Sequence, residues 1–79
     1  MIPSVGRIVH YVSAGSKDGK YPSACRAAII TETVDMGTGA DPIVGMLMVC
    51  NPTGIHFVDG PRHDEFRKEP MTWHWPEGM

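Results

Sequence analysis

The sequence predicts an all-β domain: a small, nearly closed barrel of five short strands with a long first loop. Three observations lead there. Segments rich in β-branched and aromatic residues recur along the chain, bounded by Gly, Pro, Asn and Asp. A turn, Asn51-Pro52-Thr53-Gly54, joins two of these segments directly. So small a sheet leaves few ways to protect its edges except by curling on itself.

Length and charge set the outer bounds. The 79 residues make a single domain, 1–79. The hydrophobic fraction of 42% belongs to a globular chain, not a disordered one. At this size roughly 60% of the unfolded surface is buried, so small domains commonly gain from oligomerisation, a metal or a disulfide. The net charge of −2 lacks the basic surplus of a general nucleic-acid binder. Met1-Ile2-Pro3-Ser4-Val5 carries no basic, apolar leader pattern. The longest apolar run, Ile43 to Cys50, is far too short to span a membrane. A cytosolic protein with reduced thiols is expected, with Cys25 and Cys50 as small buried apolar residues.

The first strand is Val5 to Val12, preceded by Pro3. Ile8, His10 and Val12 share one face, and Arg7, Val9 and Tyr11 the other. Neither face is purely apolar, so the inner one is not determined. Ser13 to Ser23 is the long loop, with Asp18-Gly19 suited to a tight turn. Arg26 to Val34 is the second strand, because Ile29-Ile30-Thr31 and Thr33-Val34 outweigh Ala27-Ala28. Asp35 to Pro42 is a glycine-rich connection. Ile43 to Cys50 is the central strand, with a helix as the alternative. Within it, Gly45 marks a bulge, a bend or a close backbone approach. Ile55 to Val58 completes the hairpin. Asp59 to Pro70 is polar and irregular, with one helical turn near Asp64 to Lys68. Thr72 to Trp75 is the last strand, and it holds both tryptophans of the chain. The strand spacing is analogous to that of SH3-like barrels, a likeness of fold that says nothing of function.

Three segments carry a resemblance. Val5-Gly6-Arg7-Ile8-Val9-His10-Tyr11, then Cys50-Asn51-Pro52-Thr53-Gly54 with Phe57, and Thr72-Trp73-His74-Trp75-Pro76-Glu77 together resemble a group of small uncharacterised bacteriophage proteins, especially those of actinobacteriophages. The tryptophan-rich ending is the most specific of the three. The resemblance implies a phage accessory protein acting in the host cytoplasm. It transfers no catalytic or binding residue.

The residues offer little for catalysis. Cys25 and Cys50 lie in no Cys-x-x-Cys, and the histidines in no His-x-x-x-His, so no metal or cofactor is expected. His10, His56 and His74 lie on three different strands and could converge, or could equally be surface residues. His63, Asp64 and Glu65 are adjacent, which puts them on different faces of any regular element. No phosphate-binding glycine motif or nucleophile elbow occurs, and an enzyme is not expected. Non-catalytic binding remains. Aromatic faces and arginine forks suit a small nucleotide-like ligand, with Tyr11, Tyr21, Arg26, Arg62, His74 and Trp75 as candidate contacts. Core packing is the competing role for each aromatic. Docking on a host or virion protein, or on itself, is the alternative function. Trp73 is expected inside and Trp75 nearer the rim, because Tyr11 and Phe57 alone are too few large residues to fill a barrel.

Overall fold

The computed structural model describes residues 2–15, 24–52 and 54–76. Among these residues six strands form one sheet: β1 (Ile8–Val12), β2 (Cys25–Val34), β3 (Ile43–Asn51), β4 (Gly54–Asp59), β5 (Arg62–His63) and β6 (Thr72–His74). Their order across the sheet is β4-β3-β2-β1-β6-β5. The described residues contain no helix. The sixth strand is the two-residue β5, within the segment the sequence presents as an irregular polar connection. Its pairing with β6 is parallel, whereas every other pair is antiparallel.

The order of strands explains the curl. β4 and β5 lie at opposite edges of the sheet, yet only Gly60 and Pro61 separate them in the chain. A flat six-stranded sheet would hold those edges five strand spacings apart, each about 4.8 Å. Two residues cannot span that distance, so the sheet rolls into a half-barrel that brings its edges together. Gly60 takes a positive φ of 61° at this corner, and its N–H donates to the Gly45 carbonyl at 2.8 Å.

The core lies on the concave face. Val9 and Tyr11 point inward, so Ile8, His10 and Val12 face outward, which settles the orientation of the first strand. Ala28, Ile30, Val44, Leu47, Val49 and Trp73 complete the buried cluster, with Val58 and Trp75 packed against it. The inward positions of β3 change parity between Val44 and Leu47. The cause is a double irregularity opposite β2, where the register shifts between Ile30 and Glu32 and again between Glu32 and Thr33. Gly45 sits at the second shift. A Cβ there would lie 2.7 Å from Glu32 Oε1 and 3.0 Å from Val34 Cγ2. Gly45 therefore marks both a bulge and a close approach.

Other segments refine the sequence reading. β1 begins at Ile8, because Val5-Gly6 forms a turn with Gly6 at φ 93°. β3 and β4 pair from Asn51↔Gly54 onward as a hairpin. Asp64 to Lys68 forms a turn organised by one side chain: Asp64 accepts the Arg67 N–H at 2.9 Å and the Glu69 N–H at 3.4 Å. The cysteines depart from expectation, since Cys25 is exposed and Cys50 half-buried. Cys25 starts β2 on the outward face, where Val12 is its cross-strand partner. Cys50 shares the outward parity of Met48, whose partner is the exposed Phe57.

Candidate functional site

The rolled edges leave two clefts on either side of β5. One, about 490 Å³, lies between Tyr11, Val58, Arg62, Asp64 and the stretch from Glu69 to Thr72. The other, about 610 Å³, lies between Pro42, Ile43, Pro61, Arg62, Trp73 and Trp75. Arg62 and His63 line both.

β6 builds the aromatic wall of the larger cleft. Trp73 is 3% exposed and pairs across the sheet with Tyr11. His63, its parallel neighbour on β5, stacks on the indole with ring centroids 4.3 Å apart and planes 23° apart. Trp75 is half-buried and meets Trp73 edge to face, with centroids at 5.2 Å. This geometry suits the ring quadrupoles, which disfavour a face-to-face sandwich. One carboxylate oxygen joins the two strands: Glu65 Oε1 accepts the Trp75 N–H at 2.9 Å and the His63 Nε2–H at 3.0 Å.

The charges of the turn follow from these bonds. The Arg67 N–H, more than any other group, holds the Asp64 carboxyl below its ordinary pKa. The Trp75 N–H does the same for Glu65, with His63 adding a smaller effect. Burial pushes the Tyr11 phenol up, so it stays a neutral hydroxyl at the wall of the smaller cleft.

The structure divides the candidate contacts. Arg62 and Trp75 line one cleft, and Arg62 and Tyr11 the other. Tyr11 is 4% exposed, so it acts mainly as core and offers a cleft little more than its edge. Arg26 lies cross-strand from Tyr11, half-buried, and among the described residues its buried Nε has no hydrogen-bond partner. It lines neither cleft. His74 points away from both, to the outward face, where it is 2% exposed. Tyr21 lies outside the described residues.

His63 and Glu65 are the contributors that sequence reasoning passed over. In the sequence they sit with Asp64 in a polar, irregular run, where adjacency argues against a joint role. Two residues apart, His63 and Glu65 fall on the same side of the chain as β5 gives way to the turn, and the parallel pairing of β5 with β6 puts them against the tryptophans. His56, on β4, is held by Asn51, whose Nδ2–H donates to its Nδ1 at 2.9 Å. His10 and His74 do converge, with ring centroids 5.5 Å apart, and their third neighbour is Cys25 rather than His56.

No family model, curated protein or solved structure matches the chain. No helix among the described residues is long and apolar enough to cross a membrane.

Proposed function

We propose that this chain binds a small, planar, anionic ligand of nucleotide type without transforming it. The observation that carries the reading is the shared lining of the larger cleft, where Arg62 stands with Trp75 and the Trp73–His63 stack. The volume of about 610 Å³ falls in the range that holds small ligands. A base laid on the Trp75 indole gains roughly 1–3 kcal/mol, and the Arg62 guanidinium offers a two-pronged contact to a phosphate. A local anion site of this kind is compatible with a net negative protein.

The wider role rests on the resemblance of the three sequence segments. In that role the protein is a phage accessory factor that sequesters a nucleotide-derived defence signal in the host cytoplasm. Kinship of the half-barrel with SH3-like barrels belongs to the same proposal. The test is a panel of linear and cyclic nucleotides, read by thermal shift and by recovery of unchanged ligand. A melting temperature raised by at least one nucleotide, with that nucleotide recovered intact, supports the reading. No shift across the panel at millimolar concentration removes it, and turnover replaces it with an enzyme.

A second observation favours docking on a protein. Ile8, Ile29, Met48 and Phe57 are consecutive cross-strand partners, so they form one apolar row over four strands of the outward face. Ile8 is 57% exposed and Phe57 59%. Such a row suits a host or virion protein, or a second copy of the chain. Light scattering on the pure protein, followed by affinity capture with Phe57→Ser as control, separates these partners from a monomer that binds none.

A further inference from the structure

We propose that His10, Cys25 and His74 form a binding site for a zinc-class divalent cation on the outward face of the sheet. The site is distinct from the clefts and does not depend on the ligand reading above.

The sheet register creates it. His10 and His74 are directly opposed partners on β1 and β6. Cys25 is the partner of Val12, which puts it one diagonal step from His10 on the same face. Directly opposed Cβ atoms lie about 5 Å apart and diagonal ones about 7–8 Å, distances that imidazole and thiol side chains can close. Three adjacent strands, β2, β1 and β6, thus each contribute one donor.

The donor geometry fits the ion. One ligand atom from each of the three residues lies within 4.8 Å of the others. Cys25 Sγ is 3.6 Å from His74 Nε2. Bonds of about 2.3 Å to sulfur and about 2.05 Å to nitrogen, meeting at the tetrahedral angle, place S and N about 3.5 Å apart. The Cys25–His74 pair therefore already spans one edge of a zinc tetrahedron, and a small rotation of His10 brings in the third donor. A thiolate with two imidazoles suits zinc over the oxygen-seeking magnesium or calcium.

The surroundings favour binding over a chance cluster. His74 is 2% exposed and fixed in place, whereas Cys25 is exposed and reachable from solvent. Ladder pairing holds the backbone of all three residues, so little order remains to be imposed on binding. Metal binding converts the Cys25 thiol to a thiolate and releases its proton to solvent. Three protein donors leave the fourth position for water or a small ligand. The site would also fasten the three-residue β6 to the body of a domain small enough to gain from a metal.

The experiment uses the full chain, stripped with a chelator and kept under a non-coordinating reductant. It is titrated with zinc, and with cobalt as a spectroscopic reporter. The expected result is one ion per chain, a raised melting temperature and the strong visible bands of four-coordinate cobalt with a thiolate-to-cobalt transition. Cys25→Ser should abolish that transition and weaken zinc binding about tenfold or more. His10→Gln should weaken binding comparably, and Cys50→Ser should change nothing. Cys25 is exposed and His10 half-buried, so these variants should fold, which the buried His74 does not guarantee. Two results overturn the proposal: no zinc-dependent stabilisation with an aquo-like cobalt spectrum, or a thiolate transition that survives Cys25→Ser and vanishes in Cys50→Ser.

Discussion

The Glu65 carboxylate accepts the backbone N–H of Trp75 at 2.9 Å, closing a loop of chain around β6. The same oxygen meets His63, so one side chain sets both the tilt of Trp75 and the ring stacked on Trp73. Glu65→Ala should lower stability by about 1 kcal/mol, the scale of a partly exposed charged hydrogen bond. For a domain of this size that is about 4–8 °C in Tm. Glu65→Gln keeps an acceptor and should lose less. Denaturant melts followed by tryptophan emission would show it, and an unchanged midpoint in Glu65→Ala would mean the contact is idle.

The two tryptophans should separate by mutation. Trp73 is buried against Tyr11, and its replacement by Ala should cost about 3–5 kcal/mol. A domain with only a few kcal/mol in reserve would then be largely unfolded. On the proposed nucleotide-binding reading, Trp75→Ala and Arg62→Ala should each leave a folded protein that fails to retain any nucleotide the wild-type chain holds. Circular dichroism for folding, with equilibrium dialysis for retention, distinguishes the two roles. A folded Trp75→Ala variant with full retention would place the ligand elsewhere.

Acid should weaken the turn between β5 and β6 first. Asp64 and Glu65 both have pKa values lowered in the folded chain, by the Arg67 and Trp75 N–H groups respectively. A lowered folded pKa gives stability that is present above the ordinary carboxylate pKa of about 4 and is lost as pH falls through the folded value. Stability should therefore decline below about pH 4.5, and Asp64→Asn with Glu65→Gln should flatten that decline. Urea midpoints from pH 6 to 3 provide the comparison. An equally steep acid limb in the double variant would assign the loss to other carboxylates.

Gly45 is a position where added volume meets neighbours at once. In Gly45→Ala the new methyl would press on Glu32 Oε1 at 2.7 Å and Val34 Cγ2 at 3.0 Å. The Glu32 head can swing away, but Val34 is short and stiff. A loss of about 1–3 kcal/mol is expected. Glu32→Ala in the same chain should recover only part of it. Full recovery would show that Val34 yields freely, and no loss in the single variant would show that the bulge itself relaxes.

The strands built on strong local patterns were legible in the sequence. Ile43 to Cys50 and the Asn51–Gly54 turn announce β3, the hairpin and β4, and Ile29-Ile30-Thr31 announces β2. The inner face of β1 was not legible, because Ile8 and Val9 are equally apolar and only the sheet's curvature chooses between them. β5 was hidden for a different reason: a two-residue strand has no periodicity, and its partner lies across a turn. The clefts depend on Gly60 and Pro61 joining opposite edges, which follows from strand order and not from composition. The His10–Cys25–His74 group is likewise invisible to spacing rules, since its donors come from three strands and meet only through register. The exposure of Cys25 and the half-burial of Cys50 are not legible either, because a thiol's hydrophobicity does not reveal which face of the sheet it occupies.

The position of β6 bears on how the molecule is made. It is the last strand in chain order, yet it lies between β1 and β5 rather than at an edge. During synthesis β1 can pair with β2 early, while its other side waits, with open amides and carbonyls, for a segment still to be translated. Until then β1 presents a strand edge able to recruit a neighbouring nascent chain. The order of strands thus makes pairing of β6 the step that closes this side of the sheet, and the Trp73-His74-Trp75 stretch ends that exposure.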